Sequence, residues 1–172
     1  MEKTSKTRLL EAALTILGRE GAGALTVRAA EDAAGLPHGS VRHHFGDRGG
    51  LVRALFDHLA EREGPVAAGR APEGGAGDPA AAIAQWLGPG REVTLARYEL
   101  FLMAARDPDL RAPLVQARDR FVALAARRVG DAAAPAVVAA LDGLVLDALV
   151  RGATEATGAT EAIARLTAPP LH

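Results

Sequence analysis

The stretch that most constrains this chain runs from Thr26 to Gly46, "TVRAAEDAAGLPHGSVRHHFG". It holds two helix-length patterns of roughly two turns each, separated by Gly35 and closed by Gly46. Helices that short do not persist alone in water, because nucleation costs more than a few hydrogen bonds return. Both must therefore pack on their neighbours. On one side, Leu10, Ala13, Leu14 and Leu17 fall at helical spacing from about Thr4 to Arg19, and Glu20-Gly21-Ala22-Gly23 ends the pattern. On the other, Asp47 can cap a helix to about residue 62 whose Leu51, Val52, Leu55, Phe56 and Leu59 form one apolar stripe. Thr26 reads as the N-cap of the first short helix, and Pro37 as the first turn of the second, ending near His44.

Residues 64–79 are rich in Gly, Pro and Ala and read as a linker or loop. Further helical patterns follow at 79–87, 92–106, 108–129, 135–151 and 160–166, giving about nine helices, no strands and no repeats. Abundant alanine and leucine, with only 3% aromatics, agree with an all-α class. Hydrophobic residues at 49% and charged residues at 24% suit a packed core. No cysteine is present, which excludes disulfides and thiolate zinc sites and fits a reducing compartment. With no leader-like start and no run of about 18 apolar residues, the expectation is a cytoplasmic protein with no membrane partner. The net charge of -1 excludes a uniformly basic nucleic-acid binder but permits binding through one small basic face.

Such a face is at hand. Two short helices around a glycine turn have the form of a helix-turn-helix, whose second helix enters the DNA major groove. The segment from His38 to His44 offers donors in His38, Ser40, Arg42, His43 and His44, small residues in Gly39 and Ser40 for close approach, and inward anchors in Val41 and Phe45. Arg48, at the start of the next helix, suits an anion. Arg28 is either a phosphate contact or a solvated side chain, and Lys3, Lys6 and Arg8 are either a basic arm or a charged, disordered end. Adjacent His43 and His44 point about 100° apart on a helix and do not readily share one metal ion. There is no Gly-rich phosphate loop, G-x-S-x-G or H-E-x-x-H, so neither an enzyme nor a metal or other cofactor is expected.

Residues 7–59 resemble the DNA-binding domain of the TetR (tetracycline repressor) family of bacterial transcription regulators. The resemblance rests on Leu9 to Gly23, Thr26-Val27, Ala34-Gly35-Leu36, Gly39-Ser40-Val41, His44-Phe45, Arg48 and Leu51, in order and without gaps. It implies a DNA-binding domain over 1–46, and a ligand-binding and dimerisation domain over 47–172 with helix 47–62 joining them. It implies three partners: a double-stranded operator, a second copy of the chain, and a small hydrophobic or amphipathic effector that releases a repressor. The DNA-facing set would be Thr26, Val27, Arg28, Pro37, His38, Gly39, Ser40, Arg42, His43, His44 and Arg48. Two departures stand out: Pro37 where the family has Ser or Thr, and Arg42 where it has a phosphate-binding tyrosine. Arg42 can grip a phosphate or reach a guanine. With the acidic balance, they leave open a second reading, a sensor or carrier of the same fold with altered DNA binding.

The C-terminal two thirds resembles the family in outline. Trp86, Tyr98, Phe101, Leu102 and Phe121 are the candidates for an effector site, and core packing is the alternative for the aromatic ones. Arg97 and Glu99 either orient a polar ligand group or serve as structural ions. The family's two-fold interface maps onto residues 135–151 and 160–166, with Val138, Leu141, Val145, Ala148, Leu149 and Ile163 as the expected contacts. The first of these helices is apolar on two sides, one through Leu141, Leu144, Val145 and Ala148 and the other through Val138, Leu146 and Val150, so that one can face its own core and the other a partner.

Overall fold

A computed structural model of the chain describes residues 4–67, 79–153 and 161. Among these, every regular element is a helix: α1 (Ser5–Glu20), α2 (Val27–Ala34), α3 (Ser40–Phe45), α4 (Arg48–Ala67), α5 (Pro79–Leu87), α6 (Arg91–Arg106), α7 (Pro108–Val129) and α8 (Ala134–Val150). The ninth helix expected at 160–166 lies outside the described residues, apart from Glu161. So does most of the 64–79 loop, and α4 continues to Ala67, past its expected end near 62. No single described helix is long and apolar enough to cross a membrane.

By packing, the chain divides into two compact units, one of Met1–Leu59 with Glu92–Ala117 and one of Ala60–Arg91 with Arg118–His172. The expected division at 46/47 differs from this, because α6 and the start of α7 join the N-terminal helices. In the first unit Leu9, Leu14 and Leu17 of α1, Val41 of α3, Leu51, Leu55 and Phe56 of α4, and Leu100 of α6 form one core, each at most 2% exposed. That core is what lets the six-residue α3 exist. A fully buried valine stabilises by roughly 1.5–3 kcal/mol relative to an exposed one, and Val41 is the buried residue of α3. Two acids of α6 tie this unit together: Glu92 accepts from Arg19 Nε at 2.6 Å, and Glu99 Oε2 accepts from the Ala22 amide at 3.1 Å. Glu99 is thus a structural ion.

In the second unit α5 packs on α8, with Ile83, Trp86 and Leu87 buried in one and Ala134, Val138, Val145 and Leu149 in the other. The end of α8 is closed by Arg91, whose guanidinium donates to the Leu149 and Ala153 carbonyls at 3.2 Å each. Arg118 and Asp142 pair at 2.7 Å and tie α7 to α8.

Candidate DNA-binding surface

The first short helix begins as its sequence predicts. Thr26 sits in an extended conformation and its hydroxyl accepts the Ala29 amide at 3.0 Å. Val27 packs against the core, while Arg28 is 80% exposed and 3.6 Å from Asp32, one turn on. Gly35 ends α2 in the left-handed region, at φ 62°. Arg8 donates to the Ala34 carbonyl at 2.5 Å and to that of Gly35 at 3.3 Å. It therefore staples the helix-turn-helix bend and is not part of a loose basic arm. Lys6 lies 5.9 Å from the centre of the Phe45 ring, and Lys3 is outside the described residues.

The second short helix starts three residues later than its sequence suggests. Pro37, His38 and Gly39 form a turn, and α3 begins at Ser40. The reason is Gly39, whose φ of +95° is incompatible with a helix and open to glycine. Ser40 Oγ donates to the Pro37 carbonyl at 2.6 Å, so this hydroxyl is engaged locally. From there Val41 turns into the core, Phe45 is half-buried, and Arg42, His43 and His44 are all exposed. The two histidine rings meet edge to face at 4.8 Å. Asp47 caps α4 by accepting the Gly50 amide at 2.7 Å.

Arg48 does something other than wait for an anion. Its Nε donates to the Leu25 carbonyl at 2.6 Å and its Nη2 to that of Ala22 at 3.2 Å. It holds the loop between α1 and α2 against the start of α4.

Under the turn lies a residue absent from the expected set. Glu31 of α2 is 2% exposed. Its Oε1 accepts the amides of Gly39 at 3.0 Å and Val41 at 2.9 Å, and its Oε2 is 3.4 Å from His38 Nδ1. The Val41 amide is the largest influence holding this carboxyl below its ordinary range; burial opposes it, and the Gly39 amide and His38 assist.

The expected effector residues separate into two pairs. Trp86 and Phe121 meet in the second unit, with ring centroids 6.3 Å apart. Tyr98 and Phe101 meet edge to face at 5.9 Å in the first unit, where the buried Arg97 lies 5.2 Å from the centre of the Tyr98 ring. Leu102 is 50% exposed and is not enclosed with them. On α8, Val138, Val145 and Leu149 face the core of their own unit, and Leu141 and Ala148 are half-buried. The face left open is Ala139, Gly143, Leu146 and Val150, at spacings of four, three and four residues. Of the expected contact set, Val138, Val145 and Leu149 are therefore turned inward, Leu141 and Ala148 keep part of their surface open, and Ile163 falls outside the described residues.

Two family models match the chain: that of bacterial regulatory proteins of the tetR family over residues 9–55, and that of the tetracyclin repressor-like C-terminal domain over residues 70–169. The chain belongs to the TetR family. Over 58 residues it is 43% identical to the HTH-type transcriptional regulatory protein RaaS of Mycobacterium tuberculosis (strain ATCC 25618 / H37Rv), a match spanning 34% of this chain and 27% of that protein. The fold is similar along nearly its whole length to a TetR-family member from Streptomyces coelicolor A3, with a TM-score of 0.80 and 30% identity over 97% of this chain and 100% of that one. It is also similar to the multidrug binding protein EbrR complexed with ethidium, with a TM-score of 0.77 and 30% identity over 96% and 100% of the two chains.

As a TetR-family transcriptional regulator, the chain carries its helix-turn-helix within the matched 9–55 segment, and Glu31 belongs to that segment too. A signal for Glu31 was present. Val27, Glu31 and Ala34 stand four and three residues apart, which puts a carboxylate on the apolar stripe of α2. A charge there needs buried partners.

Proposed function

We propose that this protein is a homodimeric repressor that grips a palindromic operator through α2 and α3 and releases it when a small amphipathic molecule binds. The observation that carries the DNA reading is the outward face of α3, where Arg42, His43 and His44 are exposed together while Val41 fixes the helix from beneath. Family membership supports the dimer, and the open Ala139, Gly143, Leu146 and Val150 face of α8 is the contact this reading assigns to it. Two recognition helices about 34–36 Å apart would then read successive major grooves. Likeness to EbrR, which is described bound to ethidium, supports a flat aromatic effector, as do the ring pairs Trp86–Phe121 and Tyr98–Phe101. Release requires the effector to prefer the conformation that does not fit DNA. Nothing in the family assignment favours the sensor or carrier without DNA binding.

The deciding experiment measures binding to the DNA flanking the protein's own gene at two salt concentrations. A regulator shows sequence preference and a steep salt slope; no preference at either salt overturns the reading. In the same assay Arg42→Ala assigns that residue. Equal weakening of all sequences, with the salt slope reduced by about 1, marks a phosphate contact, and relaxed preference at one base pair marks base readout. Ethidium titrated against the fluorescence of Trp86, the one tryptophan of the chain, should give saturable quenching; an unsaturable response rejects the aromatic effector.

A further inference from the structure

The recognition helix has an unusual beginning. Its N-cap is Gly39, which has no side chain to accept a first-turn amide. A helix leaves its first amides without partners inside the helix, and a Ser, Thr, Asp or Asn at the N-cap ordinarily takes one. Pro37 likewise supplies only a backbone carbonyl, taken by the Ser40 amide at 3.2 Å and the Ser40 hydroxyl. The missing cap comes from the preceding helix. One carboxylate oxygen of Glu31 accepts both the Gly39 and Val41 amides, and negative charge at this end also suits the helix dipole.

We infer that Glu31 is the positioning residue of the recognition helix: it holds the start of α3 from beneath and so sets how tightly the protein grips its operator, without itself touching DNA. This rests on the reading of α3 as the DNA-contacting helix. Glu31 is 2% exposed, so no phosphate or base reaches it. Because it occupies the Gly39 and Val41 amides, those groups are not offered to a phosphate, as helix starts elsewhere offer theirs. Recognition is left to the side chains of Arg42, His43 and His44, whose placement depends on where α3 begins. Burial of a carboxylate is costly unless matched. Here two amides and the His38 ring match it, which is also why its carboxyl is held below the ordinary range.

The test uses the full chain carrying Glu31→Gln, with Glu31→Ala beside it. Glutamine has nearly the same volume but is neutral, and at most one of its terminal atoms accepts. Amide hydrogen exchange at Gly39 and Val41 is read by NMR without DNA, with Leu14 and Leu17 of α1 as internal references. Affinity for the flanking DNA is read separately. Protection at Gly39 and Val41 should fall about tenfold in Glu31→Gln and further in Glu31→Ala, while that at Leu14 and Leu17 is kept. Operator affinity should fall in the same order. If Glu31→Ala keeps wild-type protection, Glu31 is no cap and the inference is overturned; wild-type protection in Glu31→Gln alone shows that the accepting oxygen, and not its charge, holds the start of α3. Lost protection with unchanged affinity overturns its role in recognition. A wild-type protein with no sequence preference overturns the DNA reading itself, whatever the exchange result. Should Glu31→Ala fail to fold, Glu31→Met, of similar length and with no oxygen to accept the two amides, takes its place.

Discussion

Adjacent glycines in the first turn of α4 give a sharp test of the packing around α3. In an ordinary helix each glycine replaced by alanine gains about 0.5–1 kcal/mol. At Gly49 the added Cβ would lie 3.2 Å from Asp47 Oδ1, the atom that caps the Gly50 amide, and 3.4 Å from Arg53 Nη1, so the cap must give by a few tenths of an ångström. Weakening of the cap offsets much of the gain, leaving Gly49→Ala within about 0.5 kcal/mol of the wild type. At Gly50 the added Cβ would overlap the Phe45 carbonyl oxygen and come within 3.0 Å of the Phe45 carbonyl carbon. That is backbone, at the last residue of the recognition helix. Overpacking of this kind costs about 1–3 kcal/mol or more, which exceeds the propensity gain, so Gly50→Ala should lose about 2 kcal/mol. For a chain of this size 1 kcal/mol moves Tm by about 2–4 °C, so thermal unfolding should shift by no more than about 2 °C in Gly49→Ala and by about −4 to −8 °C in Gly50→Ala. Operator affinity should fall in Gly50→Ala alone, because only there must the end of α3 move. Equal melting of the two variants would refute the close approach of α4 to α3 and the reasoning built on it.

Three further outcomes are expected. Arg48→Ala leaves the Leu25 and Ala22 carbonyls without their donor and should cost about 1–2 kcal/mol in urea unfolding, with the loss present in the absence of DNA. Leu146→Glu, on the open face of α8, should turn a dimer into a monomer by sedimentation while α-helical circular dichroism is kept, whereas Val145→Glu, fully buried, should unfold the second unit. Glu31 has a folded pKa below its unfolded value of about 4.5, so its contribution is full above that pH and is lost as the pH falls through the folded pKa; acidification below pH 4.5 should destabilise the wild type more than Glu31→Gln, the group facing the carboxylate being the His38 ring, whose other nitrogen lies 4.0 Å from Asp32.

What could be read from the sequence was local. The caps at Thr26 and Asp47 and the turn at Gly35 each depend on residues within a few positions, and each stands where the pattern put it. The start of α3 was misplaced because a Pro-His-Gly turn and a first helical turn look alike until the φ of Gly39 is known. Helix α8 was ambiguous for another reason: it is apolar on two faces, so periodicity finds the helix but not which face is inside. Val138, Val145 and Leu149 went to the core and Leu146 and Val150 did not.

The arginines carry the same lesson into function. Arg8, Arg48 and Arg91 each end on backbone carbonyls distant in sequence, those of Ala34 and Gly35, of Leu25 and Ala22, and of Leu149 and Ala153. A guanidinium suits either use, since its planar fork of donors meets a carbonyl pair at a helix or loop end as readily as a phosphate. Residue type therefore cannot separate a staple from a DNA contact; only the carbonyls within reach can. By that criterion Arg8 and Arg48, which flank the helix-turn-helix in the sequence, build it, while Arg42, on the exposed face of α3, is left available for the DNA contact that the proposed function assigns to it.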